Sequence, residues 1–153
     1  MPEAPRRKPD EQGGTYLGSE RCRDCHSEAF RIWQETRHAH ALDRLRKKDP
    51  KRSRLAECQR CHTTGFDYEG GWSPDTSAGL DAVGCESCHG PGSNHVARAQ
   101  AKPEDALGFG RPAGTWPLRW RGRCLGCHDP ANSPGFGLEG YLARIRHWKN
   151  EGR

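Results

Sequence analysis

The chain has 153 residues, a formal charge of +5 and 29% charged residues. Leu, Ile, Val and Phe together number only 18. That is one domain's length with too little aliphatic side chain to bury a conventional core. There is no apolar run long enough to span a membrane and no signal-peptide pattern.

Residues 1–14 lack any apolar stretch and read as a disordered tail, leaving 15–153 as a single domain. A first Cys-x-x-Cys-His follows at Cys22, Cys25 and His26. The spacing then predicts the best helix of the chain over 27–48, with Ser27 as a possible N-cap and Asp49-Pro50 as the stop. Phe30, Trp33, Ala41, Leu42 and Leu45 share one arc at helical period. His38 lies within that arc, whereas His40 lies on nearly the opposite side. Residues 43–60 hold a surplus of Arg and Lys equal to that of the whole chain. They read as a solvated helix end and loop, or as a docking patch for an acidic redox partner.

The second motif is Cys58, Cys61 and His62. Residues 65–84 are rich in Gly and Pro and read as loop, as do 90–94 and 102–117. The third motif, Cys85, Cys88 and His89, lies between the first two loops, and His95 sits just past it in a flexible stretch. The fourth is Cys124, Cys127 and His128. A second helix is expected near 138–150, where Tyr141, Ile145 and Trp148 define a face and His147 lies off it. Strand signals are almost absent. The expected fold is mostly irregular with a few α-helices and little or no β.

The four motifs use all eight cysteines. Cys-x-x-Cys-His is the attachment signature of c-type haem: two thiols for the vinyl groups, one imidazole for the iron. Zinc sites and a disulfide scaffold also consume paired cysteines. Neither needs a histidine after every second one. Four haems are the cofactors this predicts, and they supply the missing core, so folding is coupled to their attachment. Each haem adds two propionates, which brings the formal +5 near neutral and removes the case for a nucleic-acid partner. Covalent haem is attached outside the bacterial cytoplasm, so a periplasmic or extracellular location is expected, with a leader absent from this numbering.

His26, His62, His89 and His128 are the proximal ligands on this reading. His38, His40, His95 and His147 are the candidates for the distal side, since the one methionine is Met1. Six-coordinate haems would then be bis-histidine, which sets a lower potential than a His/Met pair. No catalytic residue is assigned.

Several segments resemble the tetrahaem cytochrome c family typified by the nitrifier electron carrier that partners hydroxylamine oxidoreductase. They are Tyr16 to Glu20, Trp33 with Thr36 to Ala41, Gly65-Phe66 with Gly70-Gly71 after the second motif, Gly84 to Gly92, and His147-Trp148-Lys149. The Gly84 to Gly92 segment is the most specific. The resemblance implies an electron carrier with three bis-histidine haems and one five-coordinate haem. It puts the distal ligands on His38, His95 and His147 and the open iron at the second motif. The chain departs from the family in being shorter between the third and fourth motifs, and in carrying His40 as an extra imidazole. Electron transfer to redox partner proteins is the leading function. The alternatives are reduction of a small nitrogen species at the open iron, or a subunit of an extracellular cytochrome filament.

Overall fold

The computed structural model describes residues 6–9, 14–75, 79–102 and 116–147, with the backbone alone described for 116–120. Expectations for the rest of the tail, for most of the 102–117 loop and for residues after 147 lie outside these. The elements in order are α1 (Glu20–Arg23), α2 (Ser27–Gln34), a 3₁₀ turn (His38–His40), α3 (Ala41–Lys48), a second 3₁₀ turn (Arg52–Arg54), α4 (Ala56–His62), α5 (Cys85–His89), α6 (Ser93–Ala101), α7 (Trp116–Leu125) and α8 (Leu138–Ile145). Among the described residues, the β structure is limited to an isolated bridge between Arg7 and Tyr68. No helix there is long and apolar enough to cross a membrane. The part-helical, irregular fold expected from the sequence is the one observed.

The single helix expected over 27–48 is two helices. Thr36 closes the first: its backbone N–H and its hydroxyl both donate to the Trp33 carbonyl, at 2.9 and 2.6 Å. A hydroxyl that competes for the helix's own acceptor ends the ladder. The break is then held from outside. The Trp33 indole donates to Val83 O at 2.9 Å, and Val83 N donates to His38 O at 3.1 Å. The far end falls where the sequence places it, since Asp49 leaves the helical conformation before Pro50.

The apolar core is small, as composition demands. Leu42, Trp72 and Leu80 are its buried centre, with Tyr16 and Phe66 against it. Thr64 organises the loop around them. Its N–H donates to Leu80 O, its carbonyl accepts from Trp72 N, and its hydroxyl donates to Ala82 O. The same hydroxyl accepts from Gly84 N, which delivers the chain to the third motif. Gly71 packs directly on the Gly65 backbone, where a Cβ would collide with the Gly65 carbonyl.

Three further segments differ from the sequence reading. Part of the expected tail is pinned: Arg7 N donates to Asp67 O at 2.9 Å, Glu69 N donates to Arg7 O at 2.8 Å, and the Arg6 guanidinium donates to Trp72 O at 3.2 Å. His95 lies in the first turn of helix α6 rather than in a flexible loop. That helix starts where Gly92 N donates to the Glu86 carboxylate at 2.7 Å. The C-terminal helix is also shorter than expected, because Arg146 turns extended after Ile145.

Candidate haem-binding site

Each motif lies on one helical turn. Helix α4 carries the second and α5 the third, while the first runs from α1 into the turn ending at His26, and the fourth leaves the end of α7. His26 N donates to Cys22 O at 2.9 Å and His128 N to Cys124 O at 2.8 Å, so these turns have helical closure as well. Spacings of three and four residues put both sulfurs and the imidazole on one side of such a turn. No disulfide joins any of the eight cysteines, so each motif has its pair for one haem.

The motif histidines meet the other histidines in pairs. The ring centroids of His26 and His95 are 6.1 Å apart, those of His38 and His128 6.0 Å, and those of His89 and His147 5.9 Å. Two imidazoles on opposite sides of one metal ion have centroids roughly 6 Å apart, given metal–nitrogen bonds of about 2 Å. The three pairs therefore stand at a spacing that fits an iron between them. For His62 there is no second imidazole at this range among the described residues. His40, the remaining histidine, is exposed, and its Nε2 hydrogen-bonds to Gln34 O at 3.0 Å.

The ring tautomers suit the same group. His62 Nδ1 donates to Ala41 O at 2.9 Å, and His147 Nδ1 donates to Ile145 O at 2.9 Å. A carbonyl only accepts, so Nδ1 holds the proton and Nε2 keeps its lone pair for a metal. His128 Nδ1 is bonded to Ser133 Oγ at 2.9 Å, and its ring stacks on Phe136 at 4.4 Å. Burial pushes the pKa of His89 down to about 4 and lowers those of His38, His95 and His128. Neutral imidazole is the ligating form.

Contacts between motifs give them a spatial order. The Cys22 and Cys85 thiols lie close enough that each shifts the other's ionisation, Cys85 drawn down to about 7 and Cys22 raised. Cys61 and Cys127 do the same, with Cys61 drawn down to about 7, and the Cys61 sulfur also reaches Gly126 O at 4.0 Å. Burial raises Cys88 to about 11, and the neighbouring Cys124 adds to it. The Arg123 guanidinium crosses to Ser87 O at 3.5 Å. Contact thus runs from the first motif to the third, then the fourth, then the second.

The second motif, at one end of that order, lies beside the basic segment. Arg44, Arg46, Lys47, Lys48, Arg52 and Arg54 are all exposed. Leu55, 44% exposed, sits among them at the start of α4. Around the first motif, at the other end, acids and bases alternate and pair: Arg23 with Glu20, and Arg31 with Glu35. Sequence reasoning missed Glu86. Though it sits between two cysteines of a motif, it is 3% exposed and accepts three backbone N–H groups. No periodicity marks such a residue, because its partners are remote in sequence.

Known proteins match in the same region. The family described as "Cytochrome c554 and c-prime" matches residues 21–90. Cytochrome c-554 of Nitrosomonas europaea is 35% identical over 93 residues, covering 52% of this chain and 40% of that protein. The reduced-state structure of cytochrome c554 from Nitrosomonas europaea superposes with a TM-score of 0.57 at 27% identity, over 75% of this chain and 65% of that one. The chain thus spans less than two thirds of the length of the relatives it matches.

Proposed function

We propose, from the likeness of residues 21–90 to the family described as "Cytochrome c554 and c-prime", that the protein carries electrons through four covalently bound haem c groups. Each Cys pair holds one haem by thioethers. His26 with His95, His89 with His147 and His128 with His38 would each hold one iron as a pair, and His62 alone would hold that of the second-motif haem. The observation that carries this is the set of three imidazole pairs near 6 Å, each joining one motif histidine to one non-motif histidine. Haem held there would supply the one-electron, ferric/ferrous chemistry. The chain's own part is to hold the ring pairs at that spacing and to stack the attachment turns against one another. The contact order from Cys22 and Cys85 to Cys61 and Cys127 supports a relay with the first- and second-motif haems as its termini.

Covalent haem supports a periplasmic setting. The exposed basic segment at the second-motif end supports docking of an acidic redox protein there, with Leu55 as the apolar contact.

The test is a haem count by mass and a spin-state count by EPR. The expected result is four haems with one high-spin. His38→Ala, His95→Ala and His147→Ala should each raise the high-spin count to two, and His40→Ala should leave it at one. Carbon monoxide should bind the reduced wild type at one haem only. Four low-spin haems in the wild type would overturn the ligand set.

A further inference from the structure

Glu86 belongs to the third motif by sequence, yet it binds the parts of the chain that build the first haem site. Its two carboxylate oxygens accept from Leu17 N, both at 3.0 Å. One accepts from Gly18 N at 2.8 Å and the other from Gly92 N at 2.7 Å. Leu17 and Gly18 are the lead into α1, which carries Cys22 toward Cys25 and His26. Gly92 is the N-cap of α6, whose first turn carries His95. The two segments meet a second time, since Thr15 N donates to Ser93 Oγ at 2.8 Å. One buried carboxylate therefore ties both carriers of the His26–His95 pair to the third motif.

The chemistry suits a carboxylate and little else. Three converging N–H donors need an acceptor-only group, and an ionised one bonds them most strongly. A neutral amide in its place turns one oxygen into a donor facing donors. The carboxylate also lies close enough to Cys22 and Cys85 for its charge to oppose ionisation of either thiol. By its bonds it joins the turn that carries Cys85 to the lead into the helix that carries Cys22.

We propose that Glu86 is a positioning residue for the first-motif haem, setting the His26–His95 geometry from within the third motif and placing a fixed negative charge near both haems. This rests on the reading of His26 and His95 as an axial pair. The charge favours ferric iron at both haems, and the hydrogen bonds fix where α6 presents His95.

The test compares Glu86→Gln, Glu86→Asp, Gly92→Ala and His95→Ala in the holoprotein, by spin-state count and by spectroelectrochemical titration of each haem. Glu86→Gln should raise the potentials of the first- and third-motif haems and shift the high-spin count from one toward two. Glu86→Asp keeps the charge and should return the potentials toward wild type. Gly92→Ala keeps the carboxylate but brings a Cβ to 3.2 Å from its oxygen. It should add high-spin signal without the rise in potential. The proposal is overturned if His95→Ala gives two high-spin haems while Glu86→Gln and Gly92→Ala move neither readout. If His95→Ala gives only one, the axial pairing itself fails, and the proposal with it. Should Glu86→Gln not mature with four haems, Glu86→Asp and Gly92→Ala decide the question by the same two readouts.

Discussion

Gly70 and Gly71 are neighbours under opposite constraints. Gly70 has a positive φ of 70° but open space around its Cα, so Gly70→Ala should cost about 1 kcal/mol of backbone strain. Gly71 has ordinary dihedrals, but its Cβ would strike the Gly65 carbonyl, which is backbone and cannot swing aside. Gly71→Ala should therefore be the worse of the two by several kcal/mol in urea unfolding of the holoprotein, because the Thr64–Trp72 pairing must open to admit it. By composition both glycines read only as loop, since close approach of two backbones leaves no pattern there. His38 and His40 were better marked. The arc of Phe30, Leu42 and Leu45 separates them, and the structure has His38 half-buried and His40 exposed on Gln34. That separation survives although the helix behind the argument is broken, because two residues in a 3₁₀ turn also point to different sides.

At the scale of elements, helix ends were legible where a local signal exists and not where tertiary contact decides. Asp49-Pro50 stops α3 by its own stereochemistry. The stop at Thr36 depends on Val83 holding both Trp33 and His38 from some fifty residues away, and α6 depends on Glu86. The pinned segment at Arg6 and Arg7 likewise needs loop 67–72 to exist first. Its neighbourhood is held by the Arg60–Asp67 pair, at 2.6 Å and 3.0 Å. The Arg60 guanidinium lowers the Asp67 pKa below its ordinary 3.8. A carboxyl depressed by folding stabilises the fold fully above 3.8, and that contribution is lost as pH falls through the folded value. The pair is partly exposed, so Asp67→Asn should cost only about 0.2–1 kcal/mol. It should nonetheless speed proteolysis near residues 6–9, and the difference from wild type should vanish in acid.

For the whole molecule, the buried hydrophobic residues among those described are Phe30, Ala41, Leu42, Trp72, Leu80 and Ala82. That is far short of what offsets the chain entropy of such a domain. Protein made without haem attachment should show no near-UV CD and be cut rapidly by protease; a compact, resistant apoprotein would count against haem as the core. The uneven charge makes a second prediction. With an acidic redox partner, the association rate should fall steeply as salt shortens the Debye length, which is about 10 Å at 0.1 M. Reversing Arg52 and Arg54 to Glu should remove most of that salt dependence, while reversing Arg21 and Arg23 should not.

The imidazole pairs carry one more consequence, in time rather than in space. In every pair, one member is made well after the other: His95 follows His26, His128 follows His38, and His147 follows His89. On the proposed ligand set, a chain that emerges N-terminus first would hold its first-motif haem with one protein ligand until roughly seventy more residues had appeared, and each closure would tie off a long loop. On that set, sites would complete in the order His95, His128, His147. A chain ended before His147 should mature with four haems and two closed irons, with the third-motif haem left open beside the second.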